Sequence, residues 1–277
     1  MADENQRETR LREISSRQNS LVKQLRRAFV QGEPTEEGFI AIEGLRILEE
    51  AIRSGLRFQA VFFSQSGRKH AGRLLPQISG HTEALVVPDD VFSSAVSTDT
   101  PQGVAALVKL KPAKLEDVLE QTGGVPLAVA VGGIQDPGNL GTIIRSAEAF
   151  RARAVLLGEK TVHPSNPKVV RASAGSVFRE PIIVVKLKEA ITSLKQAGLS
   201  VVASSSHKGK PLYDADLTGP LALLIGNEGA GLPAEILVKA DELVTIPHSL
   251  RVESLNAGVA TSILLYEVAR QRGKKNG

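Results

Sequence analysis

Apolar and polar positions divide the 277-residue chain into two stretches of different rhythm. Over the first hundred residues the apolar runs are short. FIAIEG (39–44), FQAVFFS (58–64), ALVVP (84–88) and GVAALVKL (103–110) predict strands. LRILEEAIRSG (45–55) carries apolar residues at helical spacing, with Gly55 where a C-cap is expected. Residues 15–29 predict a short basic helix opened by Ser15 or Ser16. The polar stretch KPAKLEDVLEQTGGVP (111–126) has proline near both ends and a glycine pair, so it predicts a boundary. The expected organisation is a small α/β unit over 1–112, a linker over 113–124 and a second unit over 125–277.

The second half alternates more regularly. Strands are predicted at 127–134, 153–158, 182–187, 200–204, 221–225 and 243–246, and helices near 139–150, 166–176, 188–197, 233–240 and 255–271. Strands apolar on both faces suit a parallel sheet covered by helices on each side. In such sheets ligands bind beyond the carboxyl ends of the strands.

Composition narrows the function classes. Apolar residues make up 42% of the chain, enough for a sizeable core. With no cysteine, disulfides and thiolate metal sites are excluded. No apolar run approaches the roughly 18–20 residues of a membrane span, and MADENQRETRLREISS does not resemble a signal sequence, so a cytoplasmic protein without a membrane partner is expected. The net charge of +4 permits a polyanionic partner without requiring one. Its basic residues cluster at Arg7, Arg10, Arg12, Arg17, Lys23, Arg26 and Arg27, and again at Arg270, Arg272, Lys274 and Lys275. Aromatics are 4%, which speaks against stacking platforms for bases.

Three loops hold candidate chemistry. In DPGNLGTIIRSAEAF (136–150), Asp136-Pro137-Gly138 reads as a turn, Asn139 as a helix cap and Arg145 as a residue well inside the helix. Taken alone, this is equally a capped helix with a surface arginine. GNEGAGLP (226–233) follows the apolar run LALLI. Its glycines, Gly226, Gly229 and Gly231, match neither a P-loop nor a dinucleotide fingerprint. They permit close backbone approach by a ligand, while Glu228 would repel a pyrophosphate. In TIPHSLRVESLNAGVATSILLYEVARQR (245–272), Ser254 and Asn256 stand at a helix start that one or both can cap, and Gly258 allows a close contact.

The combination, in this order and spacing, resembles the three signature motifs of the SpoU (TrmH) family, RNA ribose 2′-O-methyltransferases of the SPOUT superfamily. HPSNPKVVRASAGSVFREPI (163–182) is similar to the family's segment between its first and second motifs. SRQNSLVKQLRR and FIAIEGLRILEEAI resemble, more loosely, the L30e-like RNA-binding domain that many members carry. His248 departs from the family's usual methionine after IP, and SLNAG from its commoner endings.

The resemblance implies a fold, a cofactor and a set of roles. The fold is a C-terminal parallel sheet with helices on both faces and a deep trefoil knot, plus the small N-terminal α/β domain. The cofactor is S-adenosylmethionine, with Gly226, Ile246, Leu255, Ala203, Ser204 and Asn227 at positions that bind it. Asn139, Arg145, Glu228, Ser254 and Asn256 match the catalytic set, and Lys23, Arg26, Arg27 and Arg171 are the expected RNA contacts. No metal is implied. Arg145 would bind a phosphate and stabilise the developing alkoxide rather than act as a base, because guanidinium does not deprotonate in proteins. The expected partners are ribosomal RNA, most of all that of the large subunit, and a second copy of the chain. A transfer-RNA methyltransferase and a catalytically silent ribosome-assembly factor are the alternatives within RNA binding. A nicotinamide oxidoreductase is the alternative outside it, against which the missing G-x-G-x-x-G speaks.

Overall fold

The structure is a computed structural model and describes residues 10–120, 123–227, 229–249 and 251–274; Glu228, Arg7 and Lys275 lie outside the described residues. The chain forms two compact units. One is Met1–Lys111 together with Ser165–Arg171; the other is Pro112–Pro164 together with Ala172–Gly277.

The first unit runs β1 (Leu11–Glu13), α1 (Ser20–Gln31), β2 (Phe39–Glu43), α2 (Leu45–Arg53), β3 (Arg57–Ser64), α3 (Ala71–Leu74), β4 (Glu83–Val87), α4 (Asp89–Ser93) and β5 (Val104–Lys109). Its sheet has the order β1-β4-β3-β5-β2. β1, β4 and β3 are parallel, whereas β5 is antiparallel to both β3 and β2. Val22, Leu25, Ala28 and Phe29 of α1 pack into the core with Phe39, Phe62 and Leu107. The cap of α1 is Asn19, not Ser15 or Ser16: its Oδ1 accepts from the amides of Leu21 at 3.0 Å and Val22 at 3.4 Å. Ser165 is tied into this unit by its hydroxyl, which donates to the Gly32 carbonyl at 2.9 Å.

The second unit runs α5 (Leu115–Leu119), β6 (Leu127–Val131), α6 (Pro137–Ala149), β7 (Ala154–Leu157), α7 (Pro167–Ala172, most of which is counted with the first unit), β8 (Ile182–Val184), α8 (Leu187–Gln196), β9 (Ser200–Ser205), β10 (Lys210–Pro211), β11 (Leu221–Ile225), α9 (Ala234–Leu237), β12 (Glu242–Thr245) and α10 (Ala257–Lys274). Its seven strands pair in the order β10-β12-β9-β11-β6-β7-β8, every pair parallel. Ala128, Ala130, Leu156, Ala203 and Leu224 pack in one core with Ile191 and Leu194 of α8 and Ile236 of α9. The intervening Val129, Val131, Leu157, Leu223 and Ile225 point to the opposite face and are buried too. Both faces of the sheet are therefore covered, which is why these runs read as continuously apolar.

Two expectations change. The stretch 113–124, expected as a linker, contains α5, whose Val118 is buried in the second core. The helix expected over 166–176 breaks after Ala172, where Ala174 and Gly175 take φ of 50° and 90°; a 3-10 turn follows at Ser176–Phe178.

α6 is held closely. A side chain at Gly141 would put Cβ 2.4 Å from Cβ of Ala172, so only glycine lets the helix approach there. Near its end, Arg179 grips Glu148 through Nε–Oε1 at 2.5 Å and Nη2–Oε2 at 3.0 Å. The adjacent Glu180 is buried, and its Oε1 has no hydrogen-bond partner among the described residues. Burial, with the Glu148 charge as a second cause, pushes its carboxyl up to about 8. From pH 4.5, the ordinary value, up to about 8, the unfolded chain releases a proton that the fold retains, so stability falls as pH rises across that window. Glu180→Gln lacks this titration. It should match the wild type near pH 4.5 and exceed it near pH 8 by up to about 4 kcal/mol, measured by urea unfolding at both pH values.

Candidate active site

The carboxyl ends of β9, β11 and β12 meet in a cavity of about 270 Å³. Three segments wall it: Ser204 to Ser206 after β9, the glycine-rich loop after β11, and the chain after β12, which contributes Ile246, His248, Ser254 and Leu255. Ala257 and Ala260 of α10 and Leu237 of α9 complete it. No described lining residue carries a fixed charge; His248 is the one ionisable group among them.

The glycine-rich loop is organised by Asn227. Its Oδ1 accepts from the amides of Gly229 at 2.9 Å and Ala230 at 3.2 Å, and its Nδ2 donates to the Gly133 carbonyl at 3.1 Å. This local amide pattern replaces a backbone turn. Gly226 is required by the loop itself. A Cβ there would lie 2.5 Å from the Gly231 carbonyl carbon and 2.6 Å from the Leu232 nitrogen. The absent side chain thus accommodates neighbouring backbone rather than opening a ligand path. Gly231, at φ +65°, takes the left-handed conformation that glycine permits. On the third wall, His248 Nδ1 is 2.7 Å from the Ile246 carbonyl, and since a carbonyl only accepts, Nδ1 donates in that bond.

The polar residues of the first and third motifs are brought together by a hydrogen bond. Asn256 Nδ2 donates to Asn139 Oδ1 at 2.7 Å. Asn256 Oδ1 in turn accepts from the Val259 amide at 3.2 Å and caps α10. Asn139 is not the cap of α6; Asp136 is, accepting from the Asn139 amide at 2.8 Å. That frees the buried Asn139 side chain to meet Asn256. The helices can close here because residue 258 is glycine: a Cβ would sit 3.0 Å from Cβ of Thr142. One turn on, the hydroxyls of Ser146 and Ser262 meet at 2.7 Å.

The other expected residues are distributed as follows. Gly226, Asn227, Ser204, Ile246, Leu255 and Ser254 line the cavity; Ala203 does not, being fully buried in the sheet. Arg145 is exposed on α6 and makes no hydrogen bond or ion pair with any described residue. Glu228 falls outside the described residues. Gly229 and Gly231, expected to let a ligand approach, line the cavity too, and Ser205, Ser206, Leu237 and Ala260 join them without having been named among the expected site residues. The two serines continue a named strand end, whereas Leu237 and Ala260 read in the sequence as ordinary helical apolar positions.

In the first unit, Lys23 and Arg27 are exposed on α1. Arg27 Nε reaches Gln31 Oε1 at 3.1 Å, and Arg26 is turned back onto Ser94, donating to its carbonyl at 3.0 Å and its hydroxyl at 3.1 Å. Arg171, also exposed, reaches the Ser97 hydroxyl at 3.5 Å. It lies near the buried Glu43, whose carboxyl is raised by burial and drawn back by the Thr98 hydroxyl and the Arg171 charge. Among the described residues no group of three or more His, Cys, Asp or Glu could hold a metal ion, and no helix is long and apolar enough to cross a membrane.

S-adenosylmethionine fits this donor set. The cavity walls offer main-chain groups, hydroxyls and small apolar surfaces, suited to an uncharged nucleoside; no described cation is present to hold a pyrophosphate.

Comparison with known proteins agrees over both units. Residues 126–266 match the SpoU rRNA Methylase family and residues 19–106 the MRM3-like substrate binding domain. The chain is 31% identical over 258 residues to the 23S rRNA (guanosine(2553)-2′-O)-methyltransferase RlmP of Bacillus subtilis, covering 93% of this chain and 99% of that one. An AdoMet-bound rRNA methyltransferase from Sinorhizobium meliloti superposes with a TM-score of 0.83 at 32% identity, covering 94% of this chain and 98% of that chain. The SpoU methyltransferase AviRb from Streptomyces viridochromogenes, in complex with AdoMet, does so with a TM-score of 0.80 at 28% identity, covering 92% and 98%. With its paired asparagines, its uncharged cavity and these matches along nearly its whole length, the chain belongs to the SpoU rRNA methylase family, RNA ribose 2′-O-methyltransferases that use S-adenosylmethionine.

Proposed function

We propose that the protein methylates a ribose 2′-hydroxyl of large-subunit ribosomal RNA. The observation that carries this reading is the cavity of uncharged walls beside the Asn139–Asn256 pair. The named relatives, which act on 23S rRNA, support the choice of RNA. Bound S-adenosylmethionine supplies an electrophilic methyl group on a sulfonium. Gly226, Asn227, Ser204, Ile246 and Leu255 hold it, mainly through backbone. The side chain of Ala203 takes no part, since it is buried in the core.

The polypeptide's task is to align the 2′-oxygen and manage one proton. Arg145, exposed and unpaired among the described residues, binds an RNA phosphate and stabilises the negative charge that develops on the oxygen. Asn139 and Asn256 fix the helix starts between which the ribose is held, and Ser254 and Glu228 complete the polar set. No metal takes part. The stretch after β12 that brings Ile246, His248, Ser254 and Leu255 to the cavity is taken as part of the superfamily's trefoil knot. The enzyme works in the cytoplasm, where ribosomal RNA is its partner.

The chain acts as a homodimer. Val259, Ile263 and Tyr266, at 48%, 36% and 57% exposure, follow helical spacing along one face of α10, and Tyr266 packs edge-on against Phe150 at 6.3 Å. An apolar stripe of this kind favours a partner surface. Sedimentation at micromolar concentration should give twice 29.5 kDa, and a lone species of that mass would contradict the dimer.

Arg145→Ala should lower turnover by about a hundredfold or more while leaving cofactor affinity nearly intact, since one stabilising donor is worth that much and Arg145 does not line the cavity. Arg145→Lys should rescue poorly, because a point charge cannot replace a planar fork. Gly226→Val should do the reverse and weaken cofactor binding first, by forcing the loop off residues 231–232. Turnover and calorimetric affinity for both variants decide it; near-normal turnover of Arg145→Ala would overturn the assignment.

RNA affinity resides in the first unit. Neutralising Lys23, Arg26 and Arg27 together should weaken binding and reduce the slope of log affinity against log salt by up to about 3, roughly one per lost phosphate contact. An unchanged slope would show that these charges touch no phosphate.

A further inference from the structure

A guanidinium on an exposed helix face is of use to RNA only if no carboxylate of its own chain has taken it. Side chains three and four residues apart are neighbours on a helix. For Arg145 those positions are Gly141, Thr142, Glu148 and Ala149, so Glu148 is the one acid within a turn of it on α6. Yet Arg145 makes no ion pair with Glu148.

The reason lies in the turn after Ala172. Arg179 meets Glu148 with two parallel bonds, at 2.5 Å and 3.0 Å, so both carboxylate oxygens are engaged in the fork geometry that only arginine offers. The Ser176 hydroxyl also bonds to Glu148. Both partners are about one-third exposed, which keeps the pair partly shielded from water and salt. The buried Glu180 next door presents no competing carboxylate for Arg179 while it stays protonated.

We infer that Arg179 is a positioning residue: by holding Glu148 in a bidentate pair it denies Arg145 an internal partner and leaves that guanidinium free for RNA. This rests on the assignment of Arg145 made above. Without Arg179, Glu148 is a free carboxylate one turn from Arg145. It captures the guanidinium, and RNA phosphate must then compete for it.

The test compares three variants in single-turnover methylation of ribosomal RNA, with cofactor affinity measured in parallel. Arg179→Ala should lose about tenfold in kcat/KM for RNA with cofactor affinity unchanged. Adding Glu148→Gln to it should restore kcat/KM to within about threefold of wild type, a non-additive outcome that signals coupling between neighbours. A merely structural role for Arg179 makes the double variant no better than the single, and that result overturns the inference. So does full activity of Arg179→Ala. Thermal unfolding by circular dichroism checks each fold. If Arg179→Ala does not fold, Arg179→Gln, which keeps much of the side-chain length without the charge, carries the same comparison with and without Glu148→Gln. Arg145→Ala separates the two layers. If it retains turnover, the Arg145 assignment itself fails. If it is inactive and Glu148→Gln restores nothing, only the role of Arg179 fails.

Discussion

The site depends on one hydrogen bond between residues 117 positions apart, from Asn256 to Asn139. Each amide lies at the start of a helix. Asp136 takes the capping duty on α6, and Asn256 caps α10 with its oxygen while donating with its nitrogen. A single bond of this kind stabilises by about 1 kcal/mol, but leaving a buried amide unpaired costs more, so the arrangement selects one register of the two helices. Gly258 and the Ser146–Ser262 contact are the steric conditions for it. Ile246, His248, Ser254 and Leu255 line the cavity beside the ends of β9 and β11, next in the chain to Asn256.

The cavity has walls suited to an uncharged nucleoside, with no cation among its described lining residues. Parallel strands end together, and the loops that follow them must turn within a few residues. Asn227 turns the second loop with its own side chain, and the glycines at 226 and 231 let the backbone fold onto itself. The free amides and carbonyls of such loops discriminate by hydrogen-bond pattern and shape. A lysine there would favour phosphates over an uncharged nucleoside.

Charge is instead managed on α6. Glu148, Arg179 and Glu180 form a set in which one carboxylate is paired and one is kept neutral by burial. Burial of Glu180 lowers stability at neutral pH, a cost consistent with a site whose electrostatics are set by function. Arg145 lies one turn before this set, on the exposed face of the same helix.

Apolar patterning pointed to a parallel second sheet and to the positions of most elements, because burial on both faces of a strand leaves a continuous apolar run that needs no knowledge of its neighbours. The family resemblance in turn pointed to the loops at 203–206, 226–231 and 246–255. What the sequence left open were matters of pairing at a distance. Whether Asn139 caps a helix or meets Asn256 depends on the competing Asp136 and on the approach of a helix over a hundred residues away. Ala203 and Ser204 are adjacent in one strand, but alternation of side chains sends the first into the core and leaves the second at the cavity. The stretch at 113–124 looked like a linker because its helix is short and amphipathic, and only the surface it covers makes Val118 a core residue. Glycine at 226 was legible as necessary, but the contact that requires it is with residues 231–232, and only the folded loop brings that backbone to 2.5 Å. Local composition encodes which residues are buried. Which partners meet there is decided by long-range packing, where one amide or one missing methyl selects among registers that the chain's own pattern leaves equivalent.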